Sequence, residues 1–397
     1  MTSSTSDPNL PPLGVFDYQP RTRLVFGVGA VECVGELARE LPAKKILLVT
    51  DRGIAAAGHA ERVRRALEAA GLAVAFYDQV EENPSTRCVE KCVSFARAAA
   101  IDAIVGLGGG SSLDTAKGCN FILTNGGRMQ DYWGVGKAKL PMLPLIAIPT
   151  TGGTGSECQS FALITDETTH QKMACGDPKA APRVAILDPV LTLSQPARVT
   201  AWTGIDAIAH AVETAVTRKR TALSRVFSRE AFKLLTAGLP RVLASPADLE
   251  ARGWMLLGAA WAGTAIENSM LGAAHAAANP LSAHFSFVHG QSVGMMLPSV
   301  VRFNAQEPAA SQTYAELVRA ADWHPANRMP EANADALATR LEQLLDLAGF
   351  SRKLSQCGVS EEAIPMLSQE AARQWTASFN PRPVSTEDFA ALYQSVF

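Results

Sequence analysis

The periodicity of the chain changes near its middle, and this change restricts the fold more than any other feature of the sequence. The first half alternates short apolar runs with helical patterns, which is typical of a parallel sheet with both faces covered by helices. Strands are predicted at residues 45–50, 72–77, 103–107, 145–149, 161–165 and 183–187. Helices are predicted between them at residues 59–70, 86–99 and 113–123. We therefore predict an α/β domain for this half.

The second half, from residue 196 onward, has helical periodicity and almost no strand candidates. Its clearer helical segments are 204–217, 224–237, 249–268, 271–283, 312–321, 333–348 and 386–396. A chain of 397 residues is also too long for one compact core. We predict an α/β domain at 14–193, an all-helical domain at 194–397, and a disordered lead at 1–13. The lead is rich in Ser, Thr and Pro and has no apolar signal-peptide core.

The composition excludes several classes of protein. The chain is 47% hydrophobic and 19% charged, which excludes a mainly disordered protein. Its net charge is −2, without the basic excess of a nucleic-acid-binding protein. The most apolar stretch, 254–266, is shorter than the ~18 residues needed to span a bilayer. The 7 cysteines, with no CxxC pair, favour a reducing compartment, so we predict a cytoplasmic protein that binds neither nucleic acid nor membrane.

A glycine-rich loop is the sharpest motif of the first half. It reads Gly108-Gly109-Gly110-Ser111-Ser112, follows a predicted strand and opens a predicted helix. Three glycines allow a ligand to approach the backbone closely, and the free N–H groups at a helix start favour a phosphate. The alternative interpretation is a tight turn between a strand and a helix.

Two details of this loop depart from the G-x-G-x-x-G dinucleotide fingerprint. Ser111 stands where the last glycine is expected, and the candidate ribose-binding carboxylate, Asp51, lies upstream of the glycines instead of downstream. Ser111 and Asp114 also have the spacing of a capping box, which predicts Ser111 as the helix N-cap. The motif thus indicates a nucleotide site of another type.

A second loop supports the prediction of a nucleotide site. It reads Thr150-Thr151-Gly152-Gly153-Thr154-Gly155 and follows the predicted strand at 145–149. Hydroxyls and glycines at the carboxyl end of a strand suit a crevice that holds a diphosphate, although such turns are common by themselves.

The second half carries a set of residues suited to a metal. Asp206 and His210 are four residues apart in a helical pattern and therefore share a face, His275 lies on another helical pattern, and His289 is predicted in the following loop. Three neutral imidazoles and one carboxylate can bind Zn²⁺ or Fe²⁺. Taken singly, a histidine is more often a satisfied or exposed side chain than a metal ligand, but the set is a stronger signal.

These motifs, in this order, resemble those of the iron-dependent (group III) alcohol dehydrogenases, relatives of glycerol dehydrogenase and dehydroquinate synthase. The resemblance covers nearly the whole chain and includes the segments GGGSSLDTAK, PTTGGTGSE and GIDAIAHAVE. It implies that the α/β domain binds a nicotinamide dinucleotide, that the helical domain holds one divalent metal and the substrate, and that both meet in a cleft. It places the metal ligands on Asp206, His210, His275 and His289. It places the dinucleotide contacts on Asp51, Asn83, Gly109, Gly110, Ser111, Ser112, Leu113, Thr150, Thr151, Thr154 and Lys172.

One position departs from the family pattern. Many members carry a histidine one helical turn after the first histidine of the third motif, often credited with relaying the alcohol proton, and here that position is Asn279. An amide cannot act as a general base near neutral pH, so the resemblance leaves the catalytic proton route unknown. Water, a ribose hydroxyl and His284 are the alternatives.

The resemblance predicts a dehydrogenase that transfers a hydride between a nicotinamide dinucleotide and a small alcohol, aldehyde or ketone. Fe²⁺ is the expected metal with Zn²⁺ as the alternative, and Asp51 favours NAD over NADP because a carboxylate repels a 2′-phosphate. A homodimer or larger homo-oligomer is expected. The alternatives are a hydroxyacid–oxoacid transhydrogenase, a cyclase of the dehydroquinate synthase type, and a degenerate member that binds nucleotide without chemistry.

Overall fold

The computed structural model describes residues 15–285, 287–321 and 333–397. The predicted lead at 1–13 lies outside these residues. The strands of the described part are β1 (Arg23–Phe26), β2 (Lys45–Val49), β3 (Ala73–Tyr77), β4 (Ala103–Gly108), β5 (Gly134–Val135), β6 (Leu145–Pro149), β7 (Phe161–Thr165), β8 (Lys172–Gly176) and β9 (Val184–Leu187). The α-helices before residue 190 are α1 (Val34–Arg39), α2 (Arg52–Ala56), α3 (His59–Ala69), α4 (Thr86–Ala99) and α5 (Gly110–Asn125).

Six strands form one parallel sheet in the order β1-β9-β6-β4-β2-β3. Successive residues of a strand point to opposite faces. Ile46 and Leu48 of β2 pack into a core covered by α1 and α3, whereas Leu47 and Val49 pack into a second core covered by α4 and α5. All four side chains are fully buried, so the predicted parallel sheet with two covered faces is confirmed.

A second, three-stranded sheet has the order β5-β8-β7. Strand β7 coincides with the strand predicted at 161–165, but it pairs antiparallel with β8, which was not predicted. This small sheet carries Phe161 and Lys172, the first residues of its two longer strands.

The described residues after β9 contain helices and no strand, as predicted. The α-helices are α6 (Ala197–Val216), α7 (Ala222–Ala244), α8 (Leu249–Glu267), α9 (Ala273–Phe285), α10 (His289–Asn304), α11 (Pro308–Ala320), α12 (Ala334–Leu347), α13 (Ile364–Arg373) and α14 (Thr386–Ser395). They share one hydrophobic core, in which small residues allow close packing: a Cβ on Gly204 of α6 would lie 2.7 Å from Leu239 of α7. No helix among the described residues combines the length and apolar character needed to cross a membrane.

The prediction that His289 lies in a loop is wrong. His289 is the first residue of α10, and its N-cap, Val288, offers no side-chain hydrogen bond. The helix therefore begins without the Ser, Thr, Asp or Asn that usually marks a helix start in a sequence.

Candidate metal and cofactor site

Helix α6 projects Asp206 and His210 from one face, and the packing of α9 and α10 brings two more imidazoles to them. Asp206 Oδ1 lies 3.6 Å from His210 Nε2, 3.5 Å from His275 Nε2 and 3.8 Å from His289 Nε2. One ligand atom from each of Asp206, His210 and His275 lies within 4.8 Å of the other two. The structure thus brings together the four residues predicted as metal ligands.

The buried polar atoms of this cluster fit a cation. Asp206 Oδ1 and His275 Nε2 are buried and have no hydrogen-bond partner among the described residues. Leaving such atoms unsatisfied costs about 1–3 kcal/mol each. A divalent cation between them would satisfy both, and one carboxylate with three imidazoles suits Fe²⁺ or Zn²⁺.

The electrostatics of the cluster favour a carboxylate on Asp206 and neutral rings on His210 and His289. Burial would raise the pKa of Asp206, but the imidazoles of His210, His289 and His275 outweigh burial and hold that pKa below its ordinary value. Burial lowers the pKa of His210 and lowers that of His289 to about 3, so both rings are neutral near pH 7. Neutral imidazole is the form that binds a metal.

His275 is held differently from the other two rings. Its Nδ1 lies 2.5 Å from Glu213 Oε2, and Glu213 Oε1 accepts a 2.7 Å hydrogen bond from the backbone N–H of Ala274. Burial would lower the pKa of His275, but Glu213 and Asp206 outweigh burial and raise it to about 9. A carboxylate that accepts the Nδ1 proton fixes the ring so that Nε2 faces the cluster.

Glu213 was not among the residues predicted for the site. A signal was available, because Glu213 follows Asp206 by seven residues and His210 by three and so continues the same polar face of an otherwise apolar helix. Glu213 is buried at 3% exposure, and a buried carboxylate requires a partner.

The first loop that was predicted to bind the cofactor begins where β4 ends. Gly108 has φ +143°, and a Cβ there would lie 2.5 Å from Ser112 Oγ, so the turn requires glycine. The prediction that Ser111 caps the helix is wrong, since α5 begins at Gly110 with Gly109 as N-cap and no side-chain cap. Ser111 Oγ instead accepts a 3.2 Å hydrogen bond from the N–H of Asn83, which brings these two predicted contacts together.

Asp51 lies at the same edge of the sheet. Its Oδ1 caps α2 by accepting a hydrogen bond from Ile54 N at 3.0 Å, and its Oδ2 accepts one from Ser112 Oγ at 3.4 Å. The carboxylate therefore serves as a helix cap and also faces the glycine-rich loop.

The second predicted loop contacts the first. Thr150 N donates to Gly108 O at 3.0 Å, and a Cβ on Gly110 would lie 2.9 Å from Thr154 Cγ2. Thr151 also borders Gly109, at 3.4 Å from its would-be Cβ. The residues predicted to hold the dinucleotide from these two loops thus lie side by side.

Lys172 is the first residue of β8 in the small sheet. Burial lowers the pKa of His289, Asp206 opposes this, and the positive charge of Lys172 adds to the lowering. Lys172 is therefore within electrostatic reach of the histidine cluster.

A buried lysine, also absent from our predictions, joins the helix after the first predicted loop to the segment that follows the second. Lys117 of α5 is fully buried and donates to Ser156 O, to Ser156 Oγ at 2.8 Å and to Phe161 O at 2.9 Å. Ser156 Oγ in turn donates to Asp114 Oδ1 at 2.7 Å.

The adjacent Glu157 is buried with no partner for either carboxylate oxygen among the described residues, and burial raises its pKa to about 7.

Asn279 lies one turn after His275 on α9 and is half-buried. Its Nδ2 donates to Gln374 Oε1 at 2.9 Å. His284, the alternative proton acceptor, lies instead 2.9 Å from Glu370 at the exposed end of the helix.

Comparison with known proteins places these features in a family. Residues 20–189 match the family model described as iron-containing alcohol dehydrogenase, and residues 200–397 match its C-terminal counterpart. The chain is 34% identical to the NAD-dependent methanol dehydrogenase of Bacillus methanolicus, over 94% of this chain and 97% of that protein. It is 32% identical to the 1,3-propanediol dehydrogenase of Klebsiella pneumoniae, over 96% and 99%. A crystal structure of 1,3-propanediol oxidoreductase superposes with a TM-score of 0.92 at 31% identity, over 97% of this chain and 100% of that one.

Proposed function

The chain belongs to the iron-containing alcohol dehydrogenase family, and on that premise we propose that it interconverts small alcohols and their aldehydes or ketones. The reaction transfers a hydride between the alcohol carbon and NAD. The observation that carries the proposal is the convergence of three imidazole nitrogens on Asp206 Oδ1, at 3.5 to 3.8 Å. This cluster of one carboxylate and three imidazoles lies beside two loops whose backbone N–H groups and hydroxyls suit a diphosphate.

Four residues would hold one divalent metal: Asp206, His210, His275 and His289. When bound, the metal supplies Lewis-acid activation of the substrate oxygen. Fe²⁺ is proposed because of the family, with Zn²⁺ compatible with the same nitrogen and oxygen donors. The protein supplies the fixed orientation of the His275 imidazole, through its hydrogen bond with Glu213.

The dinucleotide would lie along the carboxyl ends of β4 and β6. Its proposed contacts are Asp51, Asn83, Gly109, Gly110, Ser111, Ser112, Leu113, Thr150, Thr151, Thr154 and Lys172. Asp51 supports NAD over NADP, because its Oδ2 faces the glycine-rich loop and would repel a 2′-phosphate at close range. The NAD-dependence stated in the name of the methanol dehydrogenase supports the same choice.

The finer organisation is proposed from separate features. The domain boundary is proposed near residue 193, between β9 and α6. The free state of all seven cysteines supports a reducing compartment, the cytoplasm.

A homodimer or larger homo-oligomer is proposed because β1 is an edge strand with exposed apolar side chains, Leu24 at 38% and Phe26 at 48%. Light scattering should give a mass of two or more chains, and a lower mass for Leu24→Lys.

The proposed activity is tested with a panel of short primary and secondary alcohols, measured by formation of reduced cofactor with NAD and with NADP on protein of known metal content. We expect turnover with NAD that is lost after chelation and restored by Fe²⁺ or Zn²⁺. Turnover that survives complete metal removal would contradict the proposal. Turnover that needs a second carbonyl acceptor and no added NAD would identify a transhydrogenase instead.

A further inference from the structure

A small cavity lies where the loop after β6, the segment between β9 and α6, and helix α8 meet. It has a volume of about 10 Å³, which is room for one particle of about the size of a water molecule. Gly152, Gln195 and Arg252 line it from these three parts of the chain. None of the described residues that line it is among those proposed to bind the metal or the dinucleotide.

Arg252 brings a buried positive charge to this cavity. The residue is only 3% exposed, and its guanidinium donates through Nε to Pro246 O. No carboxylate among the described residues pairs with it, and burial alone lowers the pKa of Arg252, with no acidic neighbour to oppose the effect. An arginine nevertheless stays protonated in a protein, and charged side chains are almost never buried without a partner of opposite charge. The remaining N–H groups of this guanidinium therefore call for an acceptor.

The hydroxyl of Thr200, also in the cavity wall, lacks a partner as well. Thr200 is 6% exposed, and its Oγ1 is buried without a hydrogen bond to any described residue. Two other polar side chains of the wall are satisfied, since Thr192 Oγ1 donates to Pro189 O at 2.8 Å and Gln195 Nε2 donates to Thr203 Oγ1 at 3.1 Å. The Thr200 hydroxyl is thus a second donor available to an acceptor in the cavity.

The start of helix α6 adds to the positive character of the site. Thr200 lies in the first turn of this 20-residue helix, and the N-cap, Pro196, offers no side-chain hydrogen bond. The N-terminus of a helix carries a partial positive charge and favours an anion. Arg252 is the only charged residue among the described residues that line the cavity, so nothing in this wall repels an anion.

The size of the cavity limits the kind of anion. A carboxylate or a phosphate has several heavy atoms and exceeds the room for one particle, whereas a chloride ion does not. A water molecule would fit and could accept a hydrogen bond, but it would leave the charge of Arg252 uncompensated.

We propose that this cavity binds one chloride ion, held by the guanidinium of Arg252 and the hydroxyl of Thr200. The ion lies at a junction of the two halves of the chain, because a Cβ on Gly152 would lie 3.0 Å from the backbone of Met255 on α8. Bound chloride therefore stabilises the packing of the loop after β6 against α6 and α8. This site is separate from the proposed dehydrogenase function and does not depend on it.

Bromide, a heavier halide, shows directly whether the cavity takes an anion. In crystals of the full chain soaked with sodium bromide, we expect an anomalous difference peak between the guanidinium of Arg252 and Thr200 Oγ1. Crystals of Arg252→Met should lack this peak. Density in the wild-type cavity without an anomalous signal would show that the occupant is water, and would overturn the proposal.

Binding in solution is measured by the line width of ³⁵Cl in NMR, at constant ionic strength with gluconate, an anion too large for the cavity, as the replacement. The wild type should broaden the chloride line in a saturable manner. Thr200→Val keeps the shape of the side chain but removes one donor, so it should weaken chloride affinity by about 10-fold, the effect of one hydrogen bond to a charged group. Arg252→Met should abolish the saturable broadening.

The temperature of unfolding gives a second readout of the same site. Because a ligand that binds only the folded state stabilises it, Tm of the wild type should rise with chloride relative to gluconate, and Tm of Arg252→Met should not. Arg319→Met, which removes an exposed arginine of α11, is the matched control and should keep both the Tm response and the NMR response of the wild type. Circular dichroism verifies that each variant is folded, and Thr200→Val carries the test if Arg252→Met is not. Equal chloride responses in the wild type, Thr200→Val and any folded Arg252→Met would overturn the site and leave the dehydrogenase proposal untouched, since no turnover is measured.

Discussion

Replacement of Glu213 by glutamine tests how the protein prepares His275 for a metal. Glu213 accepts two hydrogen bonds, from His275 Nδ1 at 2.5 Å and from Ala274 N at 2.7 Å. A glutamine has only one oxygen and cannot accept both. If the oxygen faces Ala274 N, the amide N–H₂ faces His275 Nδ1 and drives the ring proton to Nε2, the atom that points at Asp206.

The expected effect on metal affinity follows from that geometry. Loss of a carboxylate behind a ligating histidine weakens metal binding by about 10–100-fold, or about 1.4–2.7 kcal/mol. The metal-free fold should lose less, because His275 with its proton on Nε2 can donate to Asp206 Oδ1. The assay is competition with a chelator for Zn²⁺, and for Fe²⁺ under anaerobic conditions, which yields Kd without any measurement of turnover.

Two controls make this result interpretable. Glu230→Gln removes a carboxylate on α7 that pairs with Arg229 at the surface, and it should leave Kd unchanged. Circular dichroism should show that Glu213→Gln is folded. A Kd for folded Glu213→Gln within about twofold of the wild-type value would refute the orientation argument, since a carboxylate behind a ligand is expected to contribute much more.

Three further predictions concern the metal site, a buried carboxylate and the cofactor. His289→Ala should lower metal content and activity. It should leave NAD affinity, measured by calorimetry, within a few-fold of the wild-type value, because His289 lies on α10 outside the loops proposed to bind the cofactor. Unchanged metal affinity would exclude His289 as a ligand. Glu157→Gln should flatten the pH dependence of stability. Burial raises the pKa of Glu157 from 4.5 to about 7, so the folded state holds this proton more tightly than the unfolded state does. As the pH rises from about 4.5 to 7, the wild type should therefore lose up to about 3 kcal/mol of unfolding free energy relative to the variant. An equal difference in unfolding free energy between wild type and variant at about pH 5 and at about pH 8 would contradict this. Asp51→Gly should shrink the ratio of kcat/KM for NAD to that for NADP, and an unchanged ratio would show that Asp51 does not face the ribose.

The α/β half could be predicted because most of its strands are buried on both faces, and such strands consist of consecutive apolar residues. Three strands lack that signature, and one of them, β5, has only two residues. β1 lies at the exposed edge of the sheet, and β8 contains Met173, Cys175 and Gly176 in place of a β-branched run, so its pairing with β7 is decided by tertiary packing. Helix α10 was missed because it begins without a capping side chain and contains Pro298.

The metal cluster could be predicted only in part from local pattern. Helical spacing alone predicts that Asp206 and His210 share a face. The proximity of His275 and His289 to Asp206 depends on how α9 and α10 pack against α6, and this packing cannot be predicted from local sequence. The resemblance to a known family supplied that step. The Ser111 cap was mispredicted because the spacing of a capping box does not reveal that the helix starts two residues earlier, at Gly110 with Gly109 as N-cap.

The second cofactor loop has a structural role that its composition does not reveal. A Cβ on Gly153 would lie 2.3 Å from Thr203 Cβ of α6, and a Cβ on Gly155 would lie 2.6 Å from Ala259 O of α8, so these glycines permit the α/β half to approach the helical half. Thr203 precedes Asp206 by three residues on the same helix. A side chain at Gly153 would therefore displace α6 just where it carries the carboxylate of the metal cluster. The loop at 150–155 and helix α6 are therefore in direct contact, and this contact fixes where the carboxylate of Asp206 lies relative to that loop.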